Sequence, residues 1–349
     1  MKRLKRNSIQ FDPIELFSAV SRDNDYKIEV DADIDDFLSK VGSSLKASLK
    51  NPNILHGKRI ESLFAHVAGA LGRCAMIKQE DSGSIFIDGV DIVVPDYSII
   101  LKDGSRFLVE VKNCHSASGS NYSLNSEYVE KLENYARLLG TTVKFAIYFS
   151  RTNNWVLLSR ESFTKKGKKY VTDFYSAFAK TEMAMLGDRL ICAKPNLAIE
   201  FLASNNSPEA LSNRHATLTL AALKIYCAGK EVTNLHDKNI AYYLIRFGRW
   251  VTDNPTANIE NNTLKSVRYE FQPQGSQSDD GGFKIIGEFS SMVSSAYKEH
   301  TVYKDKVTSL DAKVDPDFFS TSIPDGYQGE NLPLWQMAIK PNPNFKGSK

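Results

Sequence analysis

Apolar side chains recur at helical spacing between residues 59 and 74 of this 349-residue chain. The apolar positions of this stretch are Ile60, Leu63, Phe64, Val67 and Leu71. They form one stripe of an amphipathic helix, and the small residues Gly69 and Gly72 permit a close approach to a neighbouring element. The pattern predicts a helix over Arg59–Cys74, with Glu61 at the edge of its apolar stripe.

Two apolar runs, Val93–Leu101 and Arg106–Lys112, follow this helix on either side of an Asp-Gly pair. β-branched and other apolar residues dominate both runs, which is typical of strands. The dipeptide Asp103-Gly104 is a strong signal for a tight turn. The sequence therefore predicts a β-hairpin.

The length of the hairpin loop decides which side chains share a face of the sheet. A two-residue loop pairs residue 96 with residue 111 and sends Glu110 to the face opposite Asp96. A three-residue loop, with Gly104 in the left-handed region, pairs residue 96 with residue 110 and places Lys112 two residues further along the same face. A bulge at Pro95 would restore the same parity. One such irregularity is required if Asp96, Glu110 and Lys112 are to act together.

A second amphipathic helix and two strands follow the hairpin. Asn125 or Ser126 can cap the helix, and Gly140 lies past its end. Its apolar face consists of Val129, Leu132, Ala136 and Leu139. Apolar runs then predict strands over Val143–Phe149 and Trp155–Ser159.

Elements on either side of this region are also predicted. A helix of mixed polarity over Asp33–Leu49 is typical of a cap or interface element. A helix over Asp173–Leu186, ended by Gly187, and strands at Leu190 and Leu197–Leu202 extend the region towards the carboxyl terminus. The clearest linker is Ser204–Pro208, and it predicts a domain boundary near residue 204.

Beyond the linker, the patterns predict a mainly helical α+β domain. Helices over Glu209–Ala228 and His236–Val251 invite comparison with a helix-turn-helix. Residues 205–349 carry 16 basic and 16 acidic residues, however, which gives no electrostatic footprint for a dedicated DNA-binding domain. A specificity, dimerisation or partner-binding role is favoured. The remaining predictions are a strand at Leu264–Phe271, a polar loop at 272–282, a helix at Ile285–Tyr297 and a tail from Pro316 that is either extended and laid over the domain or disordered.

The hairpin carries the candidate chemistry. Asp96 and Glu110 are hard oxygen ligands that suit Mg²⁺ or Mn²⁺, and the backbone carbonyl of Val111 can add a third oxygen. Lys112, beside two carboxylates, stays protonated because opposite charges favour its charged form. It would orient an attacking water or stabilise the charge of a phosphoryl transition state, and the sequence leaves both roles open.

The motif Pro95-Asp96 followed by Glu110-Val111-Lys112 resembles that of the PD-(D/E)xK nuclease superfamily, which includes restriction endonucleases and Holliday-junction resolvases. The resemblance implies an α/β fold with a restriction-endonuclease-like αβββαβ core, a mixed central sheet flanked by helices, and Mg²⁺ as cofactor, with Mn²⁺ as a substitute. Glu61 would be an auxiliary metal ligand. The alternative is an ordinary surface glutamate in the first turn of a helix.

The resemblance further implies a division of the chain and a function. The parts are a helical cap (1–54), a nuclease domain (55–203) and a specificity, dimerisation or partner-binding domain (204–349). The function would be hydrolysis of phosphodiester bonds in nucleic acid, DNA rather than RNA, by an endonuclease of a prokaryotic or mobile-element defence system. A homodimer or a partner subunit would fit a duplex cutter. A nuclease-fold binding or assembly subunit without cleavage activity is the alternative.

Further residues are weaker candidates. Asp91 could reach the metal from a preceding strand, whereas Asp88 is expected in a turn around Gly89. The helix after the hairpin would present Glu133, Asn134 and Tyr135 near the site, although Tyr135 also suits a packing role. Two basic strips could bind a nucleic-acid backbone. They are the arm of residues 1–6 and the loop containing Lys165, Lys166, Lys168 and Lys169.

Composition agrees with these expectations. The net charge is +3 and 42% of the residues are hydrophobic, which allows one large core or two modest ones without a strongly polycationic surface. Four scattered cysteines show no zinc or iron-sulfur spacing and indicate an intracellular protein. A charged start without an apolar segment predicts no signal peptide or membrane span, and hence a cytoplasmic location.

Overall fold

The computed structural model describes residues 1–2, 12–80, 85–115, 121–204, 211–212, 215–216, 218–261, 263–274 and 282–345. The chain forms two compact units. The first unit consists of residues 1–187, 297–319 and 340–349, and the second consists of residues 188–296 and 320–339. None of the described helices combines the length and the apolar character that crossing a membrane requires.

Three helices open the first unit: α1 (Asp12–Asn24), α2 (Asp31–Leu49) and α3 (Pro52–Ala70). The predicted helix over 33–49 is confirmed as α2. The predicted helix over 59–74 is confirmed as α3, but it begins earlier because Asn51 caps it by accepting from the Asn53 N–H, with proline at the first helical position. It ends at Ala70, and Gly72 follows with a φ of +86°.

A five-stranded mixed sheet lies at the centre of the first unit. Its strand order is β1 (Cys74–Gln79), β2 (Tyr97–Leu101), β3 (Arg106–Cys114), β5 (Val143–Phe149) and β6 (Asn154–Leu158). β3 and β5 are parallel, and the other neighbours are antiparallel. Between β3 and β5 the chain forms the short strand β4 (Asn121–Asn125) and the helix α4 (Ser126–Leu138). The order α3-β1-β2-β3-α4-β5 therefore matches the predicted αβββαβ order, with β4 added before α4.

The α4 helix covers one face of this sheet. Val129, Leu132 and Ala136 of α4 are buried in one apolar cluster with side chains of β3 and β5. Because alternate residues of a strand point to the same face, Leu108 and Cys114 in this cluster define the side of β3 on which Glu110 and Lys112 also lie. The fold thus brings the motif of β3 to the α4 side of the sheet.

A second, small sheet joins β4 with β8 (Lys169–Asp173) and β7 (Thr164–Lys166).

The predicted helix over 173–186 is wrong in its middle, because α5 (Phe174–Ala179) and a 3-10 turn (Met183–Leu186) are separated. The interruption has a physical cause. The Leu157 N–H donates to Thr181 Oγ1 and the Glu182 N–H donates to the Leu157 carbonyl, so this segment bonds to β6 instead of continuing the helix.

The second unit is mainly β-structure, so the predicted mainly helical domain is wrong. Its strands up to the last helix are β9 (Leu190–Ala193), β10 (Leu197–Ala203), β11 (Leu211–Ser212), β12 (His215–Ala216), β13 (Leu220–Cys227), β14 (Lys230–Val232), β15 (Trp250–Thr252), β16 (Thr256–Glu260), β17 (Thr263–Pro273) and β18 (Lys284–Glu288). Its helices are α6 (Leu235–Phe247) and α7 (Phe289–Thr301), the latter ending in residues of the first unit. The predicted strands at 190, 197–202 and 264–271 are confirmed.

The helix predicted over Glu209–Ala228 is wrong where the chain is described, because residues 220–227 form β13. This strand is rich in leucine and alanine, but it pairs with β10 along its length, and Ile225 and Cys227 are buried. Pairing and burial override the helical propensity of the sequence. Among the described residues before α6, namely 211–212, 215–216 and 218–234, the helix that a helix-turn-helix would need is not found.

The carboxyl-terminal segments agree with the predictions only in part. The helix expected over 285–297 begins only at Phe289, because residues 284–288 pair with β9 as β18. β19 (Val302–Tyr303) and β20 (Lys306–Val307) belong to the first unit, and β21 (Leu334–Met337) joins β9 in the second. The tail from Pro316 contains the fully buried side chains of Phe319 and Leu332, which agrees with the predicted alternative of a packed tail and not with a disordered one.

The observed division of the chain lies after Gly187 rather than near residue 204. Strand β9 already pairs with β18 and β21 inside the second unit. Asp188 accepts hydrogen bonds from the N–H and the hydroxyl of Ser290 at the start of α7. The chain from residue 188 is therefore tied to the second unit. Most of the predicted linker, residues 205–208, lies outside the described residues.

Candidate active site

The β2–β3 hairpin has the three-residue loop that the chemistry requires. The Leu101 N–H donates to the Ser105 carbonyl at 2.8 Å, and the Gly104 N–H donates to the Leu101 carbonyl at 3.0 Å. Gly104 has a φ of +87°, in the left-handed region that glycine adopts without strain. The register pairs Tyr97 with Val109, so the next residue pair along the ladder is 96 with 110.

Asp96 lies immediately before β2 and is held from two sides. Its backbone carbonyl accepts from the Glu80 N–H at 2.9 Å. Its carboxylate oxygen Oδ2 accepts from the Val111 N–H at 2.7 Å. The side chain of Asp96 is therefore fixed by the backbone of the residue that stands between Glu110 and Lys112.

Glu110, Lys112 and a tyrosine from α4 form the other half of the site. The Lys112 ammonium lies 2.6 Å from Glu110 Oε1. The Tyr128 hydroxyl donates to the same oxygen at 2.5 Å and accepts from Lys112 Nζ at 3.2 Å. The ammonium also lies 4.8 Å from the centre of the Tyr128 ring. Glu110 is only 4% exposed, so these contacts are shielded from water.

The charges of the site perturb one another strongly. Burial raises the pKa of Asp96 to about 7, and the negative charge of Glu110 adds to the effect. For Lys112, burial opposes the charged form, but the Glu110 carboxylate and its hydrogen bond outweigh burial and raise the pKa of the lysine. Burial and Glu110 raise the pKa of Tyr128 to about 12. The lysine is therefore a fixed cation, and Asp96 is a carboxylate whose charge is disfavoured until a cation approaches.

The peptide group of Val111 faces Asp96. The Leu108 N–H and the Cys114 carbonyl both bond towards the β5 side, to the Thr142 carbonyl and the Ser150 N–H. Leu108 and Cys114 have even numbers. The residues of β3 with odd numbers therefore have the opposite parity and point their N–H and C=O groups towards β2. Val111 has that parity and donates to Asp96. Its carbonyl lies on the same side of the strand, which is the direction that a third oxygen ligand beside Asp96 needs.

Glu61 lies near the pair but turns towards a different partner. Its Oε2 is 2.7 Å from Lys58 Nζ, one turn earlier on α3. Its backbone carbonyl accepts from the Tyr97 hydroxyl at 3.0 Å, and its charge contributes to the raised pKa of Asp96. Among the described residues, no group of three His, Cys, Asp or Glu side chains is placed to hold one metal ion. The role of Glu61 as an auxiliary ligand stays a prediction.

The remaining acidic candidate, Asp91, pairs with a lysine of α4. Residues 85–91 form no strand, so Asp91 is not presented from one. Its side chain is 84% exposed and lies 3.4 Å from Lys131 Nζ. Asp88 lies in a bend beside Gly89, which has a φ of +74°, as the turn interpretation predicts.

The predicted polar residues in the middle of α4 point elsewhere. Glu133 pairs with Arg160 Nε at 2.7 Å, and Asn134 donates to the Asp91 carbonyl. Tyr135 packs against the apolar cluster beneath α4, which confirms its packing role. The residue that α4 contributes is Tyr128, in the first turn. The sequence feature that could have identified Tyr128 is the helix cap at Asn125. It marks the amino end of a helix that follows β3, and that end lies close to the carboxyl end of β3.

The predicted basic loop is the turn of the β7–β8 hairpin. Lys165, Lys166, Lys168 and Lys169 are all exposed. The Lys168 carbonyl accepts from the Ser126 N–H at 2.9 Å, at the amino end of α4 and two residues before Tyr128. The hairpin is thus fixed beside the end of the helix that contacts Glu110. Arg3–Arg6 of the predicted basic arm lie outside the described residues.

The donor set of the site suits Mg²⁺, which binds one or two carboxylates and keeps several waters. Hydrogen bonds between described residues engage Asp96 Oδ2 and Glu110 Oε1, and the second oxygen of each carboxylate remains available as an acceptor. The raised pKa of Asp96 reflects negative charge that a cation would compensate. Two carboxylates and the Val111 carbonyl therefore fit a hard divalent cation.

Comparisons with known proteins identify no family. No protein-family model matches the chain, and no curated protein matches it. A solved structure of Hjc, a Holliday junction resolvase from the archaeal hyperthermophile Archaeoglobus fulgidus, matches with 19% sequence identity. The match covers 38% of this chain and 96% of the resolvase, with a TM-score of 0.29. Because that score is low, the fold and the site rest on the geometry described above.

Proposed function

We propose that this chain is a metal-dependent nuclease that hydrolyses phosphodiester bonds in nucleic acid, with DNA as its substrate. The observation that carries the proposal is the position of Asp96 opposite Glu110, with the Lys112 ammonium 2.6 Å from Glu110. Clustered buried carboxylates cost folding free energy unless a cation compensates them. A site with this arrangement is suited to binding a cation and a phosphate.

The residues have distinct roles in the proposed reaction. Asp96, Glu110 and the Val111 carbonyl would hold Mg²⁺, and Glu61 is the candidate auxiliary ligand. When bound, the cation lowers the pKa of water and neutralises charge on the phosphate. Lys112, protonated and fixed by Glu110, either orients the attacking water or stabilises the charge that develops on the phosphate oxygens.

Two further groups are assigned positioning roles and take no part in making or breaking bonds. The Tyr128 hydroxyl occupies Oε1 of Glu110 and thereby orients the carboxylate. The exposed lysines of the β7–β8 turn supply positive charge beside the amino end of α4. They would hold a nucleic-acid backbone through its phosphates, without reading its sequence.

The alternative function is a nucleic-acid-binding subunit without cleavage activity. One observation favours it: Lys112 and Glu110 already pair with each other. That alternative also expects Asp96 to point to solvent, whereas its carboxylate accepts from the Val111 N–H. A coincidental hairpin in an unrelated α/β protein would be supported if the side chains of Asp96 and Lys112 lay more than about 10 Å apart, beyond a shared coordination sphere. The bond from the Val111 N–H to Asp96, one residue before Lys112, argues against such a separation.

The test is cleavage of plasmid and of short single-stranded, duplex and branched DNA and RNA in Mg²⁺, Mn²⁺ or EDTA. RNA is included because the same two carboxylates can serve either polymer. The wild type is compared with Asp96→Asn and Lys112→Ala, and with Asp103→Asn, an exposed aspartate of the same hairpin. Metal-dependent cutting that only the two site variants lose would support the proposal.

A second readout separates the two functions. Calorimetric titration with Mn²⁺ should give binding to the wild type that Asp96→Asn abolishes. Equal nucleic-acid binding by all four proteins, with no cutting and no metal binding, would contradict the nuclease and support the binding subunit. A defence role follows from the superfamily resemblance alone and would be tested by phage challenge of cells that produce wild type or Asp96→Asn.

A further inference from the structure

Helix α2 carries a row of large apolar side chains, of which three are exposed and two, Ile34 and Val41, are half-buried. The row consists of Ile34, Leu38, Val41, Leu45 and Leu49. Leu38, Leu45 and Leu49 are 58%, 57% and 52% exposed. Successive members are separated by four, three, four and four residues, which keeps them on one side of the helix. Isolated exposed apolar residues are ordinary, but a continuous row marks a contact surface.

The exposed part of the row lies beside the face that α2 packs within its own chain, because Ile34 and Val41 are half-buried next to Phe37. Phe37 is the buried residue of α2, and its ring meets the edge of Phe17 from α1 at a centroid distance of 5.1 Å. Leu38 and Leu45 instead face outwards. Spacings of three and four residues are typical of a helix seam that packs against another helix.

Charge along α2 is ordered as well. Asp31, Asp33, Asp35 and Asp36 lie in its first six residues, and Lys40, Lys46 and Lys50 lie in the remainder up to its C-cap. The helix dipole favours acidic residues in the first turn and basic residues in the last. The same order has another consequence. A second α2 running in the opposite direction would set each acidic half against a basic half, whereas a parallel copy would set acid against acid.

We infer that α2 is the interface of a homodimer, in which two copies of α2 pack antiparallel about a two-fold axis beside Val41 and Gly42. In this register Leu38 lies against Leu45 of the second copy, and Ile34 against Leu49. Such an interface is isologous, because the same surface serves both protomers. A Cβ added at Gly42 meets no atom within 4 Å, so the helix surface at the axis is open.

The inference goes beyond the proposed nuclease and does not depend on it. If the chain cuts duplex DNA, the dimer would supply one active site for each strand. A partner of another sequence would also fit an apolar row. The start of α2 is acidic and the remainder is basic, so an antiparallel second copy would place opposite charges beside each other. This favours a second copy of the same helix as the partner.

The first test is the mass of the full chain in solution, measured by sedimentation equilibrium over a range of concentrations. The expected species has twice the 39.1 kDa mass of the chain. Leu38→Glu/Leu45→Glu should be monomeric at every concentration, with an unchanged far-ultraviolet circular dichroism spectrum. Leu138→Glu, at a 61% exposed position near the end of α4, is the matched control and should remain dimeric.

Charge reversal tests the antiparallel register without disturbing the apolar row. Asp35 and Lys46 are both exposed in the single chain. Asp35→Lys alone and Lys46→Asp alone should each weaken the dimer about tenfold, because attraction becomes repulsion at two symmetric places. The double variant Asp35→Lys/Lys46→Asp should restore the wild-type dissociation constant. Rescue by the double variant is not expected from a merely local effect on helix stability.

Cross-linking tests the position of the axis. All four native cysteines are buried, so Gly42→Cys would introduce an exposed thiol. Oxidation should link two copies at residue 42, since a disulfide needs Cα atoms about 4.4–6.8 Å apart. Leu138→Cys should not link under the same conditions. A wild type that stays monomeric, a dimer that survives Leu38→Glu/Leu45→Glu, or equal cross-linking of both cysteine variants would overturn the inference.

Discussion

Val111 donates its backbone N–H to the carboxylate of Asp96 across the β2–β3 hairpin, at 2.7 Å. This bond joins the two halves of the motif through the main chain, so Asp96 is held beside Glu110 by the strand that carries Glu110. The arrangement depends on the loop between the strands, since a register shifted by one residue would turn the side chains of one strand to the other face. A half-buried carboxylate is thereby fixed next to the buried carboxylate of Glu110.

The fixed carboxylate should make the stability of the metal-free protein depend on pH. The pKa of Asp96 is raised from 3.8 to about 7 by burial and by Glu110. Between these values the folded state holds a proton that the unfolded chain has lost, so the free energy of unfolding falls as pH rises from about 4 to about 7. Asp96→Asn removes this loss. In EDTA at pH 8 the variant should be more stable than the wild type, by on the order of 1 to 3 kcal/mol.

Chemical denaturation at pH 5 and pH 8 measures the difference. Asp103→Asn is the control, because hydrogen bonds to Ser105 lower the pKa of Asp103 and its exposed carboxylate gives no such gain at pH 8. Added Mg²⁺ should stabilise the wild type and leave Asp96→Asn unchanged. An advantage of the variant that is equal at both pH values would show that burial of the charge is not its cause.

Tyr128→Phe removes one hydroxyl and keeps the ring that lies 4.8 Å from the Lys112 ammonium. The lost bond, from the hydroxyl to Glu110 Oε1, is one to a charged acceptor and contributes about 1.5 to 3 kcal/mol. If it orients Glu110 for the reaction, kcat should fall about 10- to 100-fold with KM nearly unchanged. Steady-state cleavage of a short duplex measures both constants.

Tyr135→Phe on the same helix is the matched control for Tyr128→Phe. Tyr135 packs against the apolar cluster beneath α4, and its substitution should leave kcat unaltered. The affinity of Mn²⁺ for Tyr128→Phe, measured by calorimetry, gives a readout apart from turnover and should be weakened. A kcat equal to that of the wild type would contradict the proposal that Tyr128 orients Glu110 for the reaction.

The hairpin shows what the sequence can determine. The alternation of apolar residues and the Asp-Gly pair predict the strands, and the requirement that Asp96 face Glu110 selects the three-residue loop that the structure contains. The contact between Tyr128 and Glu110 is different, because it joins residues 18 apart through the crossover of α4. No local periodicity encodes such a contact, so the middle of α4 looked as suitable as its first turn.

The same limit applies to the second unit. The alanines and leucines of β13 have high intrinsic preference for a helix, and only their pairing with β10 makes them a strand. Thr181 and Glu182 likewise interrupt a helical pattern by bonding to Leu157 of β6. In both cases a partner distant in sequence decides the conformation, which a pattern read along one segment does not contain.

The lysines of the β7–β8 turn should act on binding rather than on chemistry. Lys168→Gln/Lys169→Gln removes two exposed charges and leaves intact the bond from the Ser126 N–H to the backbone carbonyl of residue 168. Each phosphate contact that is lost should reduce the slope of log K against log salt concentration by about 0.9 for duplex DNA. Affinity should fall for every sequence alike, and kcat at saturating substrate should be retained.

Filter binding at several salt concentrations measures this slope. Lys304→Gln/Lys306→Gln in the β19–β20 turn removes the same charge from another exposed hairpin of the first unit and serves as the control. An identical decrease for both double variants would indicate general electrostatic attraction. It would argue against a nucleic-acid contact at the β7–β8 turn.

The three-residue loop of the β2–β3 hairpin should be sensitive at one position. Gly104 has a φ of +87°, and although no atom lies within 4 Å of the place where its Cβ would stand, an alanine there is strained by its own backbone. Gly104→Ala should therefore lower the free energy of unfolding by about 1 kcal/mol. Gly57→Ala, in α3 and equally open, should instead raise it by about 0.5 to 1 kcal/mol, since alanine favours a helix interior. Denaturation of both variants separates backbone strain from crowding, because no neighbouring atom crowds either position. A Gly104→Ala protein as stable as the wild type would contradict the strain expected from the positive φ of Gly104.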